Sequence, residues 1–142
     1  MIGVRTRSKV NTRKVKRAVD RGNFESLTRA GAYVRGVAQR SIKQDAEYAP
    51  PGHPPHTRRG KLRESIFFAV KQRQVNAVIG PVATRLGQIG RIHEHGGRYR
   101  VRKKASRKGP AFGTYPKRPF MKPALDIAKP RIPSLWAGSV RE

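Results

Sequence analysis

The chain has no cysteine, so disulfides and thiolate metal sites are excluded. Acid is scarce as well: eight Asp and Glu stand against 33 Lys and Arg, a formal charge of +25. With so few carboxylates, no paired-carboxylate catalytic arrangement is legible, and no Ser-His-Asp constellation either. Long apolar runs are missing, which argues against a membrane-spanning helix. The basic N-terminus is followed by no apolar core, so it does not read as a secretory signal. Hydrophobic residues make up only 36% of 142 residues, enough for one domain with a modest core and much surface. A surface this cationic repels itself, and an acidic partner relieves the repulsion.

Residues 1–22 carry eight basic residues and one acid. They read either as a solvated basic arm or as a short helix from Thr12 to Arg21. From Asn23, an N-cap candidate, Phe24, Leu27, Gly31, Val34, Ala38 and Ile42 recur at spacings of three and four. That pattern predicts an amphipathic helix over 24–46 with its apolar face in the core. A glycine on such a face, here Gly31, marks close approach by another element. Tyr48-Ala49-Pro50-Pro51 ends the helix, and Pro50, Pro51, Pro54 and Pro55 keep the next segment extended.

After a Thr57-Arg58-Arg59-Gly60 turn, Ile66–Val70 and Val75–Gly80 alternate as the strands of an antiparallel hairpin. Phe67 and Ala69 oppose Ile66, Phe68 and Val70, so both faces of the first strand are expected to be covered. Leu86, Ile89 and Ile92 predict a short helix ending at Gly96-Gly97. His93-Glu94-His95 is not the zinc-protease motif, which needs histidines four apart; the position in question is Gly97. His53 and His56 lie on an extended loop and share no helical face. No metal or cofactor is expected. Arg98, Arg100 and Arg102 alternate with Tyr99 and Val101, a strand with one basic face, and an exposed hairpin tip or loop through Lys103, Lys104, Arg107 and Lys108 follows. Phe120, Ala124, Leu125 and Ala128 form a last helical face, with Pro123 tolerated in its first turn and Pro130 and Pro133 ending it. Leu135 and Trp136 are expected to dock a short tail. The fold class is α+β: an antiparallel sheet packed against a long N-terminal helix and a C-terminal helix, with extended basic arms. The divisions are an arm at 1–22, one domain at 23–136 and a tail at 137–142.

The motifs come in a definite order: T-x-x-G-x-L-x-x-S-I, a strand ending in I-G-P, then I-H-E-H-G-G, then R-P-F-M-K-P-A-L. This resembles the family of small neck or tail-component (tail completion) proteins of long-tailed double-stranded DNA bacteriophages. The matching residues are Thr57, Gly60, Leu62, Ser65, Ile66, Gly80, Pro81, His93, Glu94, Gly96, Arg118, Pro119, Phe120, Pro123, Ala124 and Leu125. The resemblance covers about residues 24–129. This sequence departs from the family pattern in one extra residue between Thr57 and Gly60, and in the Pro130–Pro133 pair.

The resemblance implies a structural virion protein and not an enzyme. It implies a homo-oligomeric ring, commonly of six copies, at the head–tail junction or the head-proximal end of the tail. Such a ring joins a portal-side connector or head-closure ring to the tail tube or tail terminator and lets DNA pass. It would be made in the cytoplasm of a bacterial host and would involve no membrane. Under that reading Arg98, Arg100, Arg102, Lys103, Lys104, Arg107 and Lys108 are expected at an interface or on a DNA-facing lumen, touching phosphate without reading sequence. The alternative from composition alone is a small basic nucleic-acid-binding protein of the ribosomal kind.

Overall fold

A computed structural model describes residues 11–101 and 111–140. One long helix, α1 (Thr12–Ser41), is the spine. A helical turn, α2 (Lys61–Glu64), leads into the hairpin β1 (Ile66–Lys71) and β2 (Asn76–Pro81). Two short helices follow, α3 (Ala83–Leu86) and α4 (Ile89–His95). A second hairpin, β3 (Gly97–Val101) and β4 (Ala111–Tyr115), precedes α5 (Met121–Ala128). Two 3₁₀ turns, Lys129–Arg131 and Pro133–Trp136, complete the described chain. The class is α+β, and its strands form two separate antiparallel pairs, β1–β2 and β3–β4.

Of the two readings of residues 12–21, the helix from Thr12 holds, and it is continuous with the helix expected from residue 24. The helix starts at Thr12, capped by Asn11, whose side chain accepts a hydrogen bond from the Lys14 amide at 3.1 Å. Asn23 is inside the helix, where its side-chain oxygen accepts from the Trp136 indole at 3.1 Å. Thr12–Gly22 is therefore the first third of α1, and the helix ends at Ser41, short of residue 46. The buried face is also rotated from the one the large apolar residues suggested. It runs through Gly22, Ser26, Ala30, Gly31, Val34, Val37 and Ala38, while Phe24 is exposed. Small residues at i, i+4 let other segments approach the helix closely. The tail crosses at Gly22, where a Cβ would stand 2.5 Å from the Ser139 carbonyl oxygen. Ser26, fully buried, donates to the Leu135 carbonyl at 3.0 Å, and the Arg131 guanidinium lies 5.0 Å from the centre of the Tyr33 ring. Leu135 and Trp136 thus dock the tail as expected.

The core lies where three stretches meet. Val37, Ala38 and Ile42 come from α1 and its end, Leu62 and Ile66 from α2 and β1, Phe120 and Ala124 from α5 and its cap. Tyr33, Ile79 and Met121 pack at its margin. Burying Phe120 and Ile66 completely stabilises the fold by about 1.5–3 kcal/mol each. The side chains of α1 also hold the entry to β1. Arg35 Nε donates to the Ile66 carbonyl at 2.8 Å, and Gln39 donates to the Arg63 carbonyl at 3.1 Å.

The first hairpin runs in register from Ile66 opposite Pro81 to Lys71 opposite Asn76. Its turn, Gln72–Gln74, is closed by Val75 in a left-handed conformation, φ 50°, which a β-branched residue rarely adopts. One face of this hairpin packs on α1. The other face is open, contrary to the expectation of two covered faces: Phe67, Ala69 and Val78 are exposed. The helix α1 packs against this hairpin, its residues contacting both strands.

Phe68 is what approaches Gly31. A Cβ on Gly31 would stand 2.6 Å from a ring carbon of Phe68, whereas on Gly36 it would meet only the mobile Arg40 guanidinium at 3.2 Å. Gly31→Ala is expected to destabilise by about 1–2 kcal/mol, since overpacking outweighs the gain in helix propensity. Gly36→Ala is expected to stabilise by up to about 1 kcal/mol. Urea unfolding of the two variants checks this pair, and equal effects would contradict the assigned contact.

Candidate assembly and nucleic-acid interface

Two motifs of the sequence, His93-Glu94-His95-Gly96 and Arg118-Pro119-Phe120, close on each other. Glu94 sits on α4, half-buried, and its carboxylate accepts three backbone N–H bonds from the start of α5. One oxygen takes Phe120 at 2.9 Å and Met121 at 3.0 Å, and the other takes Lys122 at 3.0 Å. A helix start leaves its first amides without intrahelical partners. Here all are accounted for: Pro123 has no N–H, and the Ala124 amide already reaches the Phe120 carbonyl at 3.3 Å. The carboxylate also complements the positive end of the helix. Glu94 is thus a helix cap supplied from a distant segment.

Further bonds seal the same junction. The Arg118 amide donates to the His93 carbonyl at 2.7 Å, and Arg118 Nε donates to the Ala49 carbonyl at 2.6 Å. The Gly52 amide, in the proline loop, donates to the Lys117 carbonyl at 2.8 Å. Gly96, at φ 65°, lets the chain turn under Lys117; a Cβ there would stand 2.9 Å from the Lys117 nitrogen. The proline loop itself folds back on the end of α1, where the Thr57 amide meets the Lys43 carbonyl at 2.9 Å. Pro55 is fully buried.

The remaining motif residues fall into place around this junction. Gly60 precedes α2 in a left-handed conformation, φ 69°. Leu62 and Ile66 are core, and buried Ser65 donates to the Leu62 carbonyl at 2.7 Å. Thr57 is half-buried beside them. Gly80 and Pro81 end β2, and Pro81 packs directly on Gly90 of α4. Pro119 is half-buried, Phe120 fully buried and Pro123 half-buried in the first turn of α5. Leu125, expected on the buried face, is exposed, as is Ile127.

The expected basic face is only partly within the described residues. Arg98 is exposed on β3, its guanidinium 4.9 Å from the centre of the Phe112 ring on β4. Arg100 pairs through its backbone with Phe112. Arg102, Lys103, Lys104, Arg107 and Lys108 lie outside the described residues. The hairpin itself is stiffened by an edge-to-face pair, Tyr99 and Tyr115, with ring centres 6.3 Å apart, and the Tyr99 hydroxyl donates to the Gly96 carbonyl at 3.1 Å. Elsewhere a shallow cleft of about 450 Å³ is rimmed by His56, Arg58, Arg59, Lys61 and His93 over Leu62 and Ile89.

A second basic surface was not legible as a surface from composition. The first turns of α1, from Asn11 through Arg21, are exposed except for half-buried Ala18. They hold Arg13, Lys14, Lys16, Arg17 and Arg21 rigidly along one helix. The signal that would have found it is the Asn11-Thr12 start together with the small-residue row Ala18, Gly22, Ser26 and Ala30. Among the described residues, no three His, Asp or Glu side chains lie close enough to hold a metal ion, and no helix is long and apolar enough to cross a membrane. Comparison with family models, curated proteins and solved structures finds no significant match.

Two outcomes test the junction. Glu94→Ala is expected to destabilise by about 2–3 kcal/mol, because it leaves three amides without their charged acceptor, and Glu94→Gln by about half that. Chemical unfolding measures both; a loss below about 0.5 kcal/mol in Glu94→Ala would contradict the cap. Burial lowers the pKa of His93, and the nearby Arg118 charge lowers it further. The folded chain therefore binds this proton less readily than the unfolded one. Stability is expected to be fully present above about pH 6.5 and to decline as pH falls towards and through the lowered folded value. The drop in urea midpoint between about pH 7.5 and pH 5.5 should be smaller in His93→Asn than in the wild type, the window being set by the ordinary histidine value.

Proposed function

We propose that the chain is a structural virion protein that forms a ring, of about six copies, in the neck or at the head-proximal end of the tail of a long-tailed bacteriophage. In this role it joins a connector to the tail tube and lets the genome pass; it is not an enzyme. The observation that carries the reading is that its ordered motifs form one structural unit. Leu62 and Ile66 from the first motif share a core with Phe120 and Ala124 from the last, and Glu94 from the middle motif caps the helix that the last one starts. An architectural role accounts for these motif residues.

Two further features support assembly. The outer face of the first hairpin presents Phe67, Ala69 and Val78 together, and α5 presents Leu125 and Ile127. Apolar residues grouped on the open face of a hairpin and along one helix are suited to subunit contacts. The +25 charge opposes self-association through cationic surfaces, so contacts between copies fall on these less charged faces, and the cationic ones are left for DNA or acidic neighbours. The second reading, a nucleic-acid-binding protein acting as a monomer, is favoured by the same charge and by the exposed basic start of α1.

Mass photometry at moderate salt, with and without the neighbouring neck proteins, separates the two. A closed ring near six copies is expected, and Val78→Asp combined with Ile127→Asp is expected to weaken its assembly by about tenfold or more, since each places a charge in an apolar contact. A chain that remains monomeric under all these conditions, yet binds nucleic acid tightly, favours the second reading and contradicts the first.

A further inference from the structure

The tail does more than dock on α1. Where Gly138 and Ser139 cross the helix, the two segments form a groove of about 350 Å³. Its wall is a row of cations, Lys14, Arg17, Arg21 and Arg29, with Glu25 and Ser139 among them. Steps of three and four through Lys14, Arg17, Arg21, Glu25 and Arg29 place these five on one face of α1. At 1.5 Å per residue, Lys14 and Arg21 are separated by about 10.5 Å along the axis, and Lys14 and Arg29 by about 22 Å.

Counter-charge on this face is sparse. Glu25 pairs with Arg29 at 3.9 Å, in an exposed ion pair worth little. Among the described residues, Lys14, Arg17 and Arg21 have no carboxylate partner. Like charges three and four apart on a helix repel each other. An external polyanion relieves that repulsion. Phosphates advance about 3.4 Å along the axis per strand of a duplex, so the Lys14–Arg21 row spans about three of them. Among the described residues that line the groove, Ala18 alone carries an apolar side chain. Val15 and Val19, both exposed, are not among the described residues that line the groove. An acidic protein segment would lack an anchor here, whereas a phosphate backbone needs none.

We propose that the Lys14–Arg17–Arg21–Arg29 face of α1 is a groove for the phosphate backbone of duplex DNA, engaged without sequence readout. The proposal deepens the ring reading and rests on it for the choice of duplex DNA. The groove places the phosphate contacts on a helix, apart from exposed Arg98 of β3. Bound phosphates would order the helix start and the crossing tail together, because both line the same groove.

The test uses the full chain and a labelled mixed-sequence DNA duplex, with fluorescence anisotropy read over a series of KCl concentrations. The triple variant Lys14→Gln, Arg17→Gln, Arg21→Gln is compared with one of equal charge loss on the other side, Arg63→Gln, Lys71→Gln, Arg73→Gln, all exposed. The α1 variant is expected to bind about tenfold or more weakly and to flatten the salt slope by about 2–3, while the control changes binding by less than about threefold. The charge-keeping variant Lys14→Arg, Arg17→Lys, Arg21→Lys should retain binding, and circular dichroism of all three should match the wild type. Equal losses in the α1 and control variants would overturn the groove. So would polyglutamate competing as well as duplex DNA at equal charge, since the site would then take any polyanion or an acidic protein. Mass photometry of the same samples keeps the two proposals apart: rings without groove-dependent binding overturn the groove alone, and groove-dependent binding without rings supports the groove and counts against the ring.

Discussion

Three amides at the start of α5 converge on the single carboxylate of Glu94, and the arrangement of the chain's second half depends on that contact. Its strength comes from charge and from completeness. Bonds to an ionised acceptor are about twice as strong as neutral ones, and together with the missing donor of Pro123 they leave no amide of the first turn unpaired. The direction of α5 is thereby set from α4. With α5 in place, Phe120 enters the core between Ile42, Leu62 and Ile66, and Ala124 and Ala128 lie flat enough for α1 to pack against. Arg118 extends the same junction to the proline loop through the Ala49 carbonyl. One side chain thus links segments that are 26 to 28 residues apart in sequence.

A body closed in this way presents what remains outside it. The hairpin β1–β2 turns Phe68 to α1 and Phe67 to the exterior, where the Arg35 guanidinium lies 5.4 Å from its ring centre. The start of α1 projects a row of cations beyond the core. These surfaces differ in kind: one is apolar and suited to a neighbouring subunit, the other is cationic and suited to phosphate. Their separation matters for a chain of charge +25, because copies of it can associate only where the charge is thin.

Much of this was legible from residue order alone. The alternation from Ile66 and from Val75 marked the first hairpin, and the glycine on the apolar face of α1 marked the place where Phe68 comes close. The short helix before Gly96 and the helix broken near Pro130 followed from the same local rules. The start of α1 was legible only as one of two alternatives, a solvated arm or a helix from Thr12, because its packing face there is built from Ala18, Gly22, Ser26 and Ala30, which carry little hydrophobic signal; close approach of backbone and tail replaces bulk. Phe24 misled for the converse reason, a large apolar residue left on the surface. The open face of the hairpin could not be read from alternation, which shows which residues share a face but not whether anything covers it. The role of Glu94 was hidden because its partners are backbone amides, and the sequence of α5 shows only that one donor is missing, at Pro123. The junction they form is tertiary.

The proposed ring and the proposed groove together have this unit assembling through its apolar faces and turning its basic helix towards DNA. Electron cryo-microscopy of particles that contain the chain tests it most directly. The account predicts a closed ring in which Phe67, Val78 and Ile127 are buried against neighbouring subunits and Lys14, Arg17 and Arg21 lie beside DNA density. A map with the chain as an isolated copy on the outer surface, those apolar residues in solvent and those cations remote from DNA, would contradict it.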